Sequence, residues 1–565
     1  MDRRRSTTRF ARAAAIVATG AMVACSAATP APGDDDGTAA GERSAAKKPV
    51  LPTAQCEGPA GGGGPGWLRD GFGYQIWVRS FFDSDGDGIG DLNGIRAKLD
   101  YINDGKPEGS DLGASVIWLS PIFASPSDHG YDTTDHLAIQ PEYGTPKDLQ
   151  ALLAAAHKRG VKVMLDLVVN HISDKHPWFK HAAASKKSVK RPWFVWRKDD
   201  PGWTQPWGKN GVWHERNGSY YYGLFTPQMP DLHVANPDVA KALTDIFTHW
   251  LDAGVDGFRL DAARYLVETG GGPGQADTQP THAFWQKWRN LADTRGDIAL
   301  FGEVWTKATT VATYLQGNEL HGCFDFDLAA GIRKGLQLRT SAMFRQALCK
   351  TAAIDKAVWG RFAGNHDMRR IADIAENKTR VGLALASVML VPGMPWIYYG
   401  DELGVPSGDG GGDRAYRLPM PWSSGEPNLG FGGKPWIAVP ASYVKHAVKD
   451  ESKDSNSLLT LVRELARIRG NCEALRRGPV RLLDVPGDDG MDVAVMQLGR
   501  WDKVSSERAL VVLNFSDDAA FTVPADWLAG GKRVVLPGKY AGSGAKVSGS
   551  GLAIWAWPSN ISTGK

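Results

Sequence analysis

The chain has 565 residues, 42% of them hydrophobic and 22% charged, enough to bury a large core and to build more than one domain. Its net charge of +3 comes from 65 basic and 62 acidic residues, with no Lys/Arg-rich patch beyond the N-terminus, so nothing calls for a nucleic-acid partner. The five cysteines include no CxxC pair, which argues against a thiol-metal or redox site.

Residues 1–24 have the plan of a secretory signal. RRRSTTRFAR is followed by the apolar run AAAIVATGAMVA, too short to span a bilayer but suited to a signal core. Cys25, directly after M-V-A, resembles the lipobox of bacterial lipoproteins, in which the new N-terminal Cys is acylated. Residues 25–66 are rich in Gly, Ala and Pro and are expected to form a disordered tether. Together these features predict an exported protein of the bacterial cell envelope, held to the membrane by its lipid anchor alone. Export permits disulfides among Cys56, Cys323, Cys349 and Cys472, but their spacing does not give a pairing.

After a strand-like GYQIWVRSF comes FFDSDGDGIGD, with Asp83, Asp85, Asp87 and Asp91 interleaved with glycine. Carboxylates this close repel unless a cation separates them, and a hard, oxygen-seeking ion fits best. An EF-hand loop would carry an acidic residue at its twelfth position. Gly94 stands there, and a strand rather than a helix precedes the loop, so a calcium switch is not expected.

From residue 67 to about 474, eight short apolar runs alternate with helical patterns. The runs are GYQIWVRSF, SVIWLSPI, VKVMLDLVV, GFRLDAA, ALFGEVW, GCFDFDL, VWGRFAGNHD and PWIYYGDE. PKDLQALLAAAHKRG reads as a helix closed by Gly160, and the next as one starting at Asn236 and Pro237 and ending at Gly254. Eight strand-helix repeats predict an α/β fold, a (β/α)8 TIM barrel. Its parts are residues 67–171 and 233–474, interrupted after strand three by an inserted subdomain over 172–232 rich in Trp. Most of those tryptophans are expected to form the subdomain's own core, leaving some to stack on a ligand. Residues 475–565, with MDVAVMQLG, ALVVLNFS, AFTVPA and GLAIWAW, read as a C-terminal antiparallel β-sandwich.

Charged residues fall at the strand C-termini, where barrel enzymes carry chemistry: Asp166, Asp261, Glu303 and Asp367. Arg259 and Asp261 stand two apart on one strand, so both point into the barrel mouth, and the cation would keep Asp261 ionised. Two carboxyl groups flanking a bond are what glycoside cleavage needs. DLVVNH, GFRLDAARY, GEVW and AGNHD, in this order and spacing, resemble the conserved regions of the α-amylase superfamily, glycoside hydrolase family 13. HGYDTTDH, MPDL, IYYGDELG and RLPMPWSSGEPNLGF add to the resemblance, which covers residues 70 to 560.

The resemblance implies Asp261 as nucleophile, Glu303 as general acid/base, and Asp367 as a third carboxylate on the hydroxyls of the distorted sugar. It implies His171, Arg259 and His366 as partners of that sugar, Tyr131 and Asp132 as a stacking face and far-side contact, and Asp166 as a structural residue beneath. It further implies a structural Ca²⁺, or Mg²⁺, held by Asp83, Asp85, Asp87, Asp91 and the Ile89 carbonyl.

The superfamily holds endo-amylases, exo-acting α-glucosidases, trehalose synthases and glucan transferases. Ala262, after the nucleophile, argues mildly against both oligo-1,6-glucosidases and maltose-type α-glucosidases. MPDL and HGYDTTDH look amylase-like, while RLPMPWSSGEPNLGF looks like the α-glucosidase and trehalose-synthase side. Export tips the reading to a monomeric α-amylase on starch or maltodextrin, with an α-glucosidase or a trehalose-forming maltose isomerase as the alternative. A non-catalytic amylase-like binding protein is disfavoured, because the three carboxylates are present and no transmembrane helix is visible.

Overall fold

Residues 54–58, 64–106, 109–354, 358–485, 492–501, 506–540 and 543–557 are described by a computed structural model. The signal sequence, Cys25 and most of the tether lie outside them.

The eight apolar runs fold as eight parallel strands: β1 (Gly73–Ile76), β2 (Val116–Leu119), β3 (Lys162–Leu167), β4 (Gly257–Leu260), β5 (Ala299–Gly302), β6 (Gly322–Phe324), β7 (Val358–Arg361) and β8 (Met394–Tyr398). Each pairs with its neighbour in sequence, and β8 closes on β1 through Trp396–Gly73 to Tyr398–Gln75. The strands are apolar on both faces because both are buried. Val116, Trp118, Met164, Phe301, Phe324 and Trp396 fill the interior, while Ile117, Leu119, Val163 and Leu165 face the helices.

The helix Pro146–His157 opens with a capping box between Thr145 and Asp148, and Gly160 follows it at φ +74°. Asn236 caps Pro237–Asp252 by accepting from the Asp238 amide, and Gly254 follows at φ +97°. Among the described residues, no helix is long and apolar enough to cross a membrane.

Between β3 and β4 the inserted segment forms a helix, Pro177–Ala184, and a three-stranded antiparallel sheet of Trp196–Arg197, Tyr220–Tyr222 and Trp213–Glu215. Val212, Trp213, Tyr222 and Leu224 make its small core. Trp193 and Trp213 are buried and Trp178, Trp196 and Trp203 half-buried, whereas Trp207 is 52% exposed. Packing thus absorbs most of the tryptophans.

The C-terminal region is antiparallel β. Its main layer is a six-stranded sheet whose second layer is a ribbon of two short strands, Phe521–Thr522 and Lys546–Val547. Val495, Leu510, Val512 and Trp555 pack beneath that ribbon, and the opposite face, with Met496, Val511 and Ile554, joins the core shared with the barrel helices.

One expectation fails. Residues 54–58 lie within the predicted tether, yet they form an edge strand of the C-terminal sheet, paired antiparallel with Val480–Leu483. A disulfide from Cys56 to Cys349, on the helix Ala342–Ala352, fastens it. The covalent link adds to the strand's own ladder and offsets part of the entropy of ordering it. The helix Gly66–Asp70 then places Leu68 inside the barrel's interior cluster, and Trp67 donates to the carbonyl of Asp297, two residues before β5. Trp67 and Leu68, directly after the tether, therefore plug the barrel at the N-terminal ends of its strands. Burying Leu68 contributes roughly 1.5–3 kcal/mol.

Candidate active site

At the opposite ends of the strands a cavity of about 700 Å³ opens. Asp261, Glu303 and Asp367 line it together with Tyr131 and His171. Strand alternation explains the placement. Arg259, in β4, points inward and Asp261 follows just past the strand end, while Glu303 follows β5 directly.

Arg259, 1% exposed, ties three carboxylates together. Its Nη1 donates to Asp261 Oδ1 at 2.6 Å and to Asp166 Oδ1 at 2.9 Å, and its Nη2 stands 3.1 Å from Glu303 Oε2. The Ala262 amide also donates to Glu303 Oε2, at 3.0 Å. Ala262 itself sits in the left-handed region, at φ +50°, a conformation that costs a non-glycine residue roughly 1–2 kcal/mol. Asp166, buried below, accepts from Trp118 Nε1 at 3.1 Å and from the Tyr131 hydroxyl at 3.0 Å.

A second network holds Asp367. Arg417 Nη2 stands 2.8 Å from its Oδ1, and His366 Nε2 stands 3.0 Å from its Oδ2. Burial opposes the charge on Asp367, but His366, Arg417 and Arg259 outweigh it and hold the carboxyl well below the usual range. Burial instead pushes Glu303 up, and the charges of Asp261 and Asp367 add to this against the pull of Arg259. Asp261 is also raised by burial, with Arg259 pulling it back. Burial lowers the imidazoles, His171 to about 3 and His366 likewise downward, so both rings are neutral at pH 7.

The sequence-predicted residues divide by position. Tyr131, His171, Asp261, Glu303 and Asp367 stand at the cavity wall, whereas the buried Arg259, His366 and Asp132 stand behind it. Asp132 accepts from the Ser125 hydroxyl at 2.7 Å and from that of Ser127. Sequence reasoning missed Arg417, in RLPM, and Gln75, in GYQIW, which contact Asp367 and His366. It also missed Trp305, which is 47% exposed two residues after Glu303 and stacks on Phe326. Trp207 and Trp305 both line the cavity and offer aromatic faces to a sugar ring.

In the acidic loop, Asp83, Asp85 and Asp91 each bring an oxygen within 4.8 Å of the others, while Asp87 stays outside that triplet. Asp87 Oδ1 accepts from the Ile89 amide at 2.7 Å. The loop is clasped to residues 431–436. Asp83 donates its amide to the Phe431 carbonyl, Gly433 donates to Asp83 Oδ2, and Trp436 donates to the Gly88 carbonyl. Gly88, at φ +93°, is required there, since a Cβ would lie 2.1 Å from the Lys434 carbonyl oxygen. Three convergent carboxylates with Asp87 beside them are a donor set that fits a hard divalent cation.

Comparison with known proteins agrees with this geometry. A family model described as the catalytic domain of alpha amylase matches residues 75–478. "Alpha-amylase 3" of Dictyoglomus thermophilum is 34% identical over 424 residues, 73% of this chain and 80% of that protein. "Oligo-1,6-glucosidase" of Parageobacillus thermoglucosidasius is 31% identical over 528 residues, 80% of this chain and 91% of that one. Among solved structures, the alpha-amylase from H. orenii superposes with a TM-score of 0.73 at 33% identity, covering 86% of this chain and 97% of that one.

Proposed function

The chain belongs to the alpha-amylase catalytic-domain family, glycoside hydrolases acting on α-glucosidic bonds, and from that premise we propose that it hydrolyses α-1,4-glucans with retention of configuration. The observation that carries the reading is the single guanidinium of Arg259 shared by Asp261 and Glu303. A carboxylate held against a cation beside a buried carboxyl raised in its titration supplies the nucleophile and the acid that a retaining enzyme needs.

In the first step Glu303, kept protonated by burial and its acidic neighbours, gives its proton to the glycosidic oxygen. Asp261, ionised beside Arg259, attacks the anomeric carbon, and the C–O bond to the leaving sugar breaks, giving a β-glucosyl ester. Glu303 then takes a proton from water, whose oxygen displaces Asp261 to give an α-product. Asp367, ionised throughout, accepts hydrogen bonds from the hydroxyls of the distorted ring, and neutral His171 faces the same ring.

Asp83, Asp85 and Asp91 would hold a structural Ca²⁺ or Mg²⁺, aided by Asp87 and the Ile89 carbonyl. It would neutralise the loop's charge and take no part in bond cleavage. Acylation of Cys25 would tether the enzyme at the bacterial cell envelope. The Cys56–Cys349 disulfide supports export, because such bonds persist in oxidising compartments.

One observation favours a second reading, exo-action. Arg414 reaches across to Asp128 in a two-pronged ion pair, Nε at 3.0 Å and Nη2 at 2.6 Å. The segments it joins carry Asp413 and Arg417 on one side and His129 and Tyr131 on the other, all at the cavity wall. Such a bridge would end the sugar-binding cleft as a pocket. A product time course on soluble starch, maltotriose and maltose separates the readings. Mixed oligosaccharides appearing early mark an endo-amylase, glucose alone an exo-glucosidase, and trehalose from maltose an isomerase. No product from any of the three overturns the proposal.

A further inference from the structure

His366 is completely buried, with Trp77 stacked on it at 5.4 Å and 26°, and with Tyr131, its ring nearly parallel at 8°, reaching the imidazole edge through its hydroxyl. This stack fixes the plane of the imidazole and leaves only its nitrogen edges to make polar contacts. Nε2 faces Asp367 Oδ2 at 3.0 Å and the Tyr131 oxygen at 2.6 Å, and Nδ1 faces Gln75 Nε2 at 2.7 Å. Gln75, in β1, is itself buried, with its side chain inside the barrel.

A proton inventory of this chain of groups starts from Asp367. Asp367 is held ionised beside Arg417 and can only accept, so it demands a proton on the Nε2 that faces it. The Tyr131 hydroxyl donates to Asp166 at 3.0 Å, which leaves its oxygen to accept from the same nitrogen at 2.6 Å. Both neighbours of Nε2 therefore demand a proton on that nitrogen. A neutral imidazole carries one proton, so Nδ1 is bare, and only an N–H can face it. The carboxamide of Gln75 supplies that N–H.

We infer that Gln75 is a positioning residue for the reaction: by donating to Nδ1 it locks His366 in the tautomer that presents its Nε2 proton to Asp367 and Tyr131. In this way β1, whose strand end bears no catalytic group, sets the hydrogen-bonding state of the site's third carboxylate. The tautomer of a histidine is commonly set by the bond its other nitrogen makes, and such supporting partners orient a site as much as its primary groups do. The consequence for catalysis rests on the role of Asp367 proposed above; the tautomer does not.

The test is ¹⁵N NMR of the full chain labelled at histidine, with His366 assigned by the signals missing from a His366→Gln variant. In the wild type at about pH 7, Nε2 should resonate as protonated and Nδ1 as unprotonated. Gln75→Glu keeps the shape but sets a carboxylate against Nδ1, and should put a proton on Nδ1 as well, giving an imidazolium, and lower kcat on maltotriose about 10- to 100-fold, with KM changing less. Gln75→Met should give mixed tautomers and an intermediate kcat. A wild-type ring protonated at Nδ1 overturns the inference with no variant needed. So does a Gln75→Glu ring with unchanged nitrogen signals, even if its activity falls, since that would make Gln75 a packing residue only. A wild type with the stated tautomer and no glucan hydrolysis would support the inference and count against the proposed function instead.

Discussion

Arg259 holds Asp261 at 2.6 Å while touching Glu303 at 3.1 Å, so one buried cation lies against the nucleophile and the acid at once. It opposes the rise that burial imposes on both carboxyl groups, and the two differ in what surrounds them further. Glu303 feels the charges of both Asp261 and Asp367.

The pH dependence follows from these directions. Asp261 must be ionised, and burial raises it, so activity should be lost on acidification above the range of a free carboxylate, about 3.9. Glu303 must be protonated, and it too is raised, so activity should persist well above a free glutamate's range and fall only as pH climbs through the raised value. Asp367, held low, stays ionised across both limbs and shapes neither. A kcat/KM profile should be a bell with both limbs displaced upward. An acid limb at or below about pH 3.9 would contradict the account.

The Cys56–Cys349 link closes a span of 293 residues, for which chain entropy gives a large stabilisation of the folded state; measured values are typically about 2–4 kcal/mol. Replacing both cysteines with Ala should lower stability by that order in urea titration. Limited proteolysis should then cut between the edge strand and the helix Gly66–Asp70, with glucan hydrolysis preserved at temperatures well below Tm. Unchanged stability and protease resistance would show that the strand holds without its staple.

Removing divalent cations should lower Tm by several degrees, and added Ca²⁺ should restore it, because uncompensated like charge would sit at the clasp between the acidic loop and residues 431–436. Replacing Asp83 with Asn should give the same loss with no further effect of chelator. No bound ion by metal analysis, together with an unchanged Tm, would remove the metal from the account.

Arg414 is largely exposed, so Arg414→Ala should change stability by less than about 1 kcal/mol. If the bridge to Asp128 ends the sugar cleft, the variant should release longer oligosaccharides from starch than the wild type does, measured as the ratio of maltotriose and longer products to glucose. An unchanged product ratio would leave the bridge without a role in specificity.

The barrel was legible because its strands are buried on both faces and read as mostly apolar runs, several of them with a charged residue at the C-terminal end. The pairing of Arg259 with Asp261 was legible for the same local reason, two positions on one strand. What sequence reasoning missed depends on partners far along the chain. Gln75 and His366 are 291 residues apart, Arg417 and Asp367 are 50 apart, and neither pair has a local pattern. The strand Ala54–Gly58 reads as tether because AQCEG has no apolar stripe, and the sheet edge that orders it lies more than 400 residues on. The tryptophans of the inserted segment could be assigned to its core as a group, but only the fold singles out Trp207 as exposed at the cavity.

The most direct test of the central claim is the rate at which reducing ends appear from soluble starch with the wild type and with Asp261→Asn, which keeps the shape of the side chain and removes its nucleophilic charge. The account predicts steady hydrolysis by the wild type and a loss on the order of 10⁴-fold in the variant, with folding intact by thermal melt. Glucan cleavage by Asp261→Asn at a rate near that of the wild type would contradict it.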